Sequence, residues 1–503
     1  VPPSPFTVWK ACCCNDIGRA YAADVEQSQG GFMSVNFGTS GLRARAVDFT
    51  ASVCRAYLGA FLDVNCGGVA DKTVYLGADL RASSPVITGY CVAAVAAEGW
   101  RPVYAGNVPT PALAVYALKR GAPAVMITGS HIPEDYNGIK FYRPDGEFLK
   151  SDEAPVRAAA EARLARNETT TSTALPAIEA AVAADYIARY TDAFPGKPLA
   201  GLKVGVDLHS AVGRDLTVAI LEGLGAAVVP FRRADHFIAV DTEALDPEDV
   251  IRAKAMLVEH GLAAVVSTDG DGDRPLVIDE TGSQINGDVL GALTARYLGI
   301  TTLVTPLTST TGIEQSGWFE RVVRTRIGSP YVVEAMAAET AAGRGAIAGF
   351  EANGGFLVES DLKLSGRTLT RLPTRDAILP IVGTLLAARA AGVTLSALAA
   401  TLPARVMKAN RLKEIAPEVS QAFLKRMAGS REARVALDPV LADPADANTV
   451  DGLRFTFADR SVVHFRASGN APELRAYVET ATAAETDALL ARVITAMEKD
   501  LRR

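Results

Sequence analysis

No apolar run in these 503 residues approaches the ~18–20 residues that a membrane-crossing helix needs, so no membrane partner is expected. Positive charge is in deficit: 51 Lys and Arg stand against 57 Asp and Glu, a formal net charge of −6. That argues against a nucleic-acid partner bound by broad phosphate neutralisation, and leaves local basic sites open. Cysteine is sparse. Cys12, Cys13 and Cys14 are consecutive, and Cys54, Cys66 and Cys91 have no zinc-type spacing. The expectation is reduced thiols in a cytoplasmic protein, without a disulfide framework. Two catalytic signatures are also missing. No Gly-x-x-x-x-Gly-Lys-[Ser/Thr] loop occurs, which excludes an ordinary ATP-dependent P-loop enzyme. No Gly-x-Ser-x-Gly elbow surrounds Ser130, the serine that stands out below.

What is present is an ordinary globular composition, 49% hydrophobic and 21% charged, over a length that suits about three or four domains. Residues 1–32 differ from the rest. They mix Pro, Cys and polar residues without a period and lack the pattern of a secretory signal. The expectation is a disordered extension, with Met33 resembling a natural start.

The middle of the chain repeats one unit loosely. Strand Val74-Tyr75-Leu76-Gly77, a helix from Gly89 to Glu98, the segment Gly99 to Tyr104, a helix from Pro111 to Lys119 and the apolar run Ala122 to Ile127 lead to Thr128-Gly129-Ser130-His131-Ile132-Pro133. A second unit begins with strand Lys203 to Val206 and turn Asp207-Leu208-His209-Ser210. It runs through a helix from Pro247 to His260 and delivers Asp269-Gly270-Asp271-Gly272-Asp273-Arg274. The third begins with strand Thr302 to Thr305, continues through a helix from Tyr331 to Ala342, and delivers Glu351-Ala352-Asn353-Gly354-Gly355. Strands alternating with helices argue for mixed or parallel sheets covered on both faces. The expected fold is α/β: three similar mixed-sheet α/β domains, 33–184, 185–287 and 288–405, and a C-terminal α+β domain, 406–503, around a central cleft. Alternating strands such as Leu453 to Phe457 and Ser461 to Phe465, then a helix from Glu485 to Leu501, mark the last of these.

Each unit ends in a polar loop with its own chemistry. Ser130 sits at the carboxyl end of an expected parallel strand, where open α/β sheets place their reactive groups. In the second loop, glycines between Asp269, Asp271 and Asp273 permit a tight turn in which three carboxylates converge. Three oxygen anions suit a hard cation such as Mg²⁺ with open positions for phosphate or water. A calcium EF-hand loop fits less well: Glu280 falls at position twelve, but Arg274 occupies the glycine position and a strand precedes the loop. In the last domain, Arg466, Ser468, Gly469 and Asn470, with Arg475 nearby, form a candidate phosphate clamp. Phe37-Gly38-Thr39-Ser40-Gly41-Leu42-Arg43 adds another arginine beside hydroxyls and glycines. A nucleophile, a metal and phosphate-binding cations together point to phosphoryl transfer, where positioning and charge neutralisation dominate.

From about Met33 to its end, the chain resembles the α-D-phosphohexomutases, the family of phosphomannomutase and phosphoglucomutase. Thr128 to Pro133 resembles the Thr-Ala-Ser-His-Asn-Pro phosphoserine loop, and Asp269 to Arg274 matches the metal loop. Glu351 to Gly355 stands at the sugar loop Glu-x-Ser-Gly-His, and Arg466 to Glu473 resembles the phosphate loop. The resemblance implies that Ser130 is carried as phosphoserine, and that one Mg²⁺ per chain sits between Ser130 and Asp269, Asp271 and Asp273. It implies His131 and Lys140 as proton-transfer candidates with Arg43 assisting. Glu351, Asn353, Ser329, Arg274, Arg466, Ser468, Gly469, Asn470 and Arg475 are the implied substrate-binding set. The implied substrate is a hexose phosphate, with a hexose 1,6-bisphosphate as intermediate and activator, and the chain is expected as monomer or homodimer. Asn353 and Gly355 replace the sugar loop's usual Ser and His, Gly328-Ser329 stands where many members have Gly-His, and Asn470-Ala471 replaces Thr-Glu. The sugar loop also departs from the Glu-Gln-Ser-Gly-His type of phosphoglucosamine mutases. The reading is a phosphomannomutase, with phosphoglucomutase or dual activity as the alternative. A non-catalytic sugar-phosphate sensor is disfavoured by the intact serine and aspartates.

Overall fold

The computed structural model describes residues 35–38, 40–468 and 472–501. The extension expected at 1–32, Met33, Thr39 and three phosphate-loop positions, Gly469, Asn470 and Ala471, lie outside them.

Three sheets share one topology. In each, the first strand of the unit lies between the second and the third, all three parallel, and a fourth strand returns antiparallel beside the third. In the first sheet these strands are Thr73–Ala78, Arg101–Asn107, Ala124–Ile127 and Tyr136–Arg143. In the second they are Lys203–His209, Ala227–Arg233, Ala264–Thr268 and Pro275–Asp279. In the third they are Thr302–Pro306, Arg321–Thr325, Ile347–Phe350 and Phe356–Val358. Each polar loop is therefore the same hairpin: it joins the third strand to the fourth. The first sheet adds Asn36–Phe37, Leu42–Arg45 and Gly146–Glu147, and the third adds Leu372–Asp376. The last unit is an antiparallel five-stranded sheet, Val406–Lys413, Glu473–Thr480, Val462–Ala467, Leu453–Thr456 and Asp446–Asn448 in spatial order, covered by helices that include Ala483–Leu501. The architecture is thus three α/β/α domains and a C-terminal α+β domain.

Local sequence explains the elements. Strands Thr73–Ala78, Ala264–Thr268 and Thr302–Pro306 are buried along their whole length, and none of them carries a charged residue. Helix Pro247–His260 starts on Asp246, whose side chain accepts the Glu248 amide, and has proline in its first turn. The strand expected to stop at Val206 runs on to His209. Asp207 continues the ladder opposite Phe231, and its carboxylate accepts from Arg232 at 2.7 Å, so the polar residues are accommodated within the sheet.

Buried polar ties connect the units. Thr110 donates its amide and hydroxyl to Asp271 at 2.9 and 2.7 Å. Asp376, at the end of the third sheet, accepts from Tyr186, at 2.7 Å, and from Tyr190 of helix Ala181–Ala193. Glu479 of the last sheet accepts the Thr310 hydroxyl at 2.8 Å and the Thr311 amide at 3.0 Å. Unpaired, each of these buried groups would cost about 1–3 kcal/mol, so the ties specify how the units dock.

His464 is buried in the last sheet, stacked on Tyr477, with Nε2 against the Asp451 carbonyl and no hydrogen bond to Nδ1. Burial lowers its pKa to about 4 against an ordinary 6.5, outweighing the Asp451 hydrogen bond. The unfolded chain therefore binds this proton first, and stability falls as pH drops from 6.5 towards 4. Denaturant titrations at pH 7 and pH 5 should show wild type losing about 2 kcal/mol more than His464→Gln over that interval. Equal losses would mean that the ring does not titrate in the fold.

Candidate active site

The hairpin loops of the three α/β sheets meet. The Ser130 hydroxyl, 2% exposed, donates to Asp269 Oδ2 at 2.8 Å. Lys140, on the strand returning from the serine loop, donates to Asp271 Oδ2 at 2.6 Å and Asp273 Oδ2 at 2.7 Å. Arg375, from strand Leu372–Asp376, donates to Asp273 Oδ2 and to Glu351 Oε2, both at 2.7 Å. Serine loop, aspartate loop and the Glu351 loop thus form one continuous buried network.

The metal loop is the tight turn its glycines predict. Gly272 has φ +75°, and a Cβ on Gly270 would lie 2.7 Å from the Ser130 carbonyl, so the two loops abut. Asp269, Asp271 and Asp273 are at most 1% exposed, and their candidate ligand oxygens lie within 4.8 Å of one another. Asp271 Oδ1 and Asp273 Oδ1 have no hydrogen-bond partner. Burial first, and then the neighbouring Asp271 and Asp273, push Asp269 up to about 8 against the opposing Arg274 and Lys140. Asp271 and Asp273 are instead held below the usual range. Burial is the largest influence and opposes this, but Lys140, Thr110 and Arg43 together overcome it at Asp271, and Arg375, Lys140 and Arg274 do so at Asp273. Orphaned anionic oxygens in a compact all-oxygen set fit a hard divalent cation, Mg²⁺ above all.

The serine loop is strained and tightly held. Ser130 has φ 55°, a left-handed conformation unusual for a side-chain-bearing residue. Its amide donates to Thr128 Oγ1 at 2.8 Å. Arg81, fully buried, donates to the carbonyls of Ser130, Ile132, Pro133 and Tyr136 at 3.0, 2.6, 2.5 and 3.0 Å. Asp79 fixes that guanidinium at 3.1 Å, and the Phe237 ring covers it with Cζ 3.9 Å from the centroid. The sequence did not single out Asp79 or Arg81 for this role. The signal was an aspartate and an arginine two residues apart after a buried strand, too common alone to select.

A cavity of about 460 Å³ opens over Ser130, walled by Arg43, His131, Tyr136, Arg274 and Arg375 among others. Arg43 donates to the Thr128 carbonyl at 2.8 Å. His131 Nδ1 lies 3.3 Å from Ser130 Oγ, and burial, reinforced by Arg274 and Arg43, lowers its pKa to about 4. The imidazole is therefore neutral near pH 7. Arg274 keeps to the edge of the aspartate loop, 3.9 Å from Asp273 and 3.8 Å from Glu243.

The remaining residues divide. Asn353 accepts the Gly355 amide at 3.0 Å and so shapes its own loop. Ser329 is wholly buried at the start of helix Ser329–Ala341, its Oγ without a hydrogen bond. Arg466 and Arg475 face each other across two strands of the last sheet. Arg466 is held by Asp451 at 2.9 Å and lines a separate cavity of about 420 Å³ with Arg326, Tyr331 and Lys425. Arg475 pairs with Glu473 at 3.2 Å, and the Ser468 amide donates to the Glu473 carbonyl at 2.9 Å. The structure thus unites three of the four loops at Ser130 and leaves Arg466 at a second cavity.

Comparison with known proteins adds an independent line. Four family profiles match in succession, described as phosphoglucomutase/phosphomannomutase alpha/beta/alpha domain I at residues 34–167, domain II at 184–282, domain III at 286–406, and the C-terminal domain at 412–496. A phosphomannomutase of Sinorhizobium fredii is 43% identical over 474 residues, 93% of this chain and 100% of that protein. One of Salmonella muenchen is 39% identical, over 93% of this chain and 97% of that protein. The solved structure of a phosphoglucomutase/phosphomannomutase family protein from Burkholderia thailandensis shares the fold, with TM-score 0.72 at 20% identity, covering 92% of this chain and 97% of that one.

Arg81 carries a prediction. Lysine keeps the charge but offers no planar fork for four carbonyls. Arg81→Lys should speed amide exchange across residues 129–136 and lower turnover by about 10²-fold, the scale of a small misplacement of a reacting group. Exchange at the wild-type rate would show that the loop holds itself.

Proposed function

The chain belongs to the phosphoglucomutase/phosphomannomutase family, and from that premise we propose that it interconverts mannose 6-phosphate and mannose 1-phosphate. The coarser reading, an α-D-phosphohexomutase that moves a phosphoryl group within a sugar, rests on the whole four-domain match and the intact carboxylate cluster. The observation that carries it is the buried Ser130 hydroxyl bonded to Asp269 beside two further aspartates with orphaned oxygens. The mannose assignment draws its support from the names of the two relatives that cover 93% of the chain.

In this reading Ser130 Oγ carries a phosphoryl group. The P–O bond to Ser130 breaks as a new P–O bond forms to a hydroxyl of the bound hexose monophosphate. The hydroxyl proton leaves for the neutral His131 imidazole, within reach of Ser130 Oγ, and ends on the freed serine. The bisphosphorylated sugar then reorients, and its other phosphate returns to Ser130 by the same steps in reverse. Lys140 is bonded to two carboxylates, which suits it to charge neutralisation more than to proton transfer. Asp269, Asp271 and Asp273, with Ser130, would hold Mg²⁺, which when bound withdraws charge from phosphoryl oxygens. Arg43 and Arg274 line the cavity as cations for the phosphate. A hexose 1,6-bisphosphate serves as activator by restoring the phosphoserine.

Intact mass of the purified protein should show a fraction one phosphate heavier, mapped to Ser130. Ser130→Ala should lose both that label and nearly all turnover in a coupled assay comparing mannose 1-phosphate with glucose 1-phosphate. Wild-type turnover in Ser130→Ala would end the phosphoserine reading, and a clear preference for glucose would end the mannose assignment alone.

Metal dependence gives a separate check. Asp271→Asn removes an anionic ligand from a site that selects its ion by charge, so Mg²⁺ binding measured calorimetrically should weaken by at least tenfold with the fold retained. Wild type should lose activity in EDTA and regain it with excess Mg²⁺. Full activity in chelator would remove the metal from the mechanism.

A further inference from the structure

The proposed sugar carboxylate, Glu351, is 5% exposed and does not line the cavity over Ser130. Arg375 does. Its guanidinium is bonded to Glu351 Oε2 and Asp273 Oδ2, leaving Nε–H with no partner although the residue is only 4% exposed. The backbone has made room for it. A Cβ on Gly355 would lie 2.7 Å from Arg375 Cδ and 2.9 Å from both its Cγ and the Asp273 carbonyl, so this loop closes over the arginine only with glycine there. Where the resembled sugar loop ends in histidine, this chain places an arginine reaching in from the neighbouring strand.

Resting on the phosphohexomutase reading, we propose that Arg375 is a specificity-determining residue that selects uncharged hexose phosphates over 2-amino-hexose phosphates. A free Glu351 carboxylate would attract the ammonium of an amino sugar. Bonded to Arg375 at 2.7 Å, that carboxylate is neutralised, and the group presented to the cavity is a guanidinium. A protonated amine entering here meets a wall whose charged residues, Arg43, Arg274 and Arg375, are all cationic, where like charges are costly. A hydroxyl carries no charge and meets no such penalty. The same pairing fixes the Glu351 rotamer, so Arg375 acts both by position and by charge.

Three variants test this on the full-length protein: Arg375→Gln, which removes the charge, Arg375→Lys, which keeps it, and Glu351→Gln. The readout is the ratio of kcat/KM for mannose 1-phosphate to that for glucosamine 1-phosphate, with Mg²⁺ affinity measured by calorimetry as a fold control. Wild type should favour the neutral sugar by at least 100-fold. Arg375→Gln should narrow that ratio by at least tenfold, Arg375→Lys should hold it within about threefold of wild type, and Glu351→Gln should not narrow it. Mg²⁺ should bind Arg375→Gln at least as tightly as wild type, since a cation competing for Asp273 has gone. A merely structural role would instead lower both activities together and weaken Mg²⁺ binding. An unchanged ratio in Arg375→Gln, or equal narrowing in Arg375→Lys, overturns the proposal. Absence of turnover of any hexose phosphate by wild type would instead overturn the reading on which it rests.

Discussion

The constraint on which the rest of the molecule depends is the charge of three carboxylates buried together. Asp269, Asp271 and Asp273 are almost wholly removed from water. Burying an unpaired charge costs several kcal/mol, and removing one partner of a buried pair costs about 3–5 kcal/mol. The fold answers with cations drawn from other units: Lys140 from the first sheet and Arg375 from the third, each within 2.7 Å of a carboxylate oxygen. These ion pairs are therefore inter-domain contacts. The aspartate loop cannot be neutralised unless the three α/β units are docked, so assembly of the cleft and tolerance of its charge are one event.

Neutralisation is deliberately incomplete. Lys140 and Arg375 take the Oδ2 oxygens, while Asp271 Oδ1 and Asp273 Oδ1 remain without hydrogen-bond partners. Such groups are uncommon in native interiors, and here two of them belong to one compact carboxylate cluster. The two permanent cations hold the loop in shape, and the remaining deficit is what draws a divalent ion.

Much of this was legible in the sequence. Strand–helix alternation with a polar loop after every third strand gave the repeated unit, because a buried parallel strand must be apolar throughout and its loop must then carry the polar residues. The spacing Asp-Gly-Asp-Gly-Asp was legible because ligands and the backbone freedom to converge them lie in one short segment. Arg81 and Arg375 were not. Each acts on residues far along the chain: Arg81 on carbonyls some fifty residues later, and Arg375 on Asp273, 102 residues earlier. Backbone carbonyls leave no trace in a sequence, and a lone arginine near a strand end has no period to betray it. Arg466 shows the converse. Its local motif was plain, but its side chain follows a nearby aspartate, Asp451, into a second cavity.

The composition of the cavity wall bears on how a sugar that must turn over could be retained. A site that gripped one phosphate through many directed bonds would hold one orientation well and resist the other. Here the residues facing the cavity from separate elements include Arg43, Arg274 and Arg375. Guanidinium groups spread around an enclosure attract a phosphate by field as well as by contact, and such a field changes slowly with position. Directed bonds within the protein hold the scaffold, including those of the wall arginines themselves: Arg81 to the serine-loop carbonyls, Arg43 to the Thr128 carbonyl, Lys140 to the aspartates, Arg375 to Asp273 and Glu351. Rigid anchoring of the reacting loops combined with a diffuse cationic wall is the arrangement that lets a doubly phosphorylated intermediate stay in place while its orientation changes.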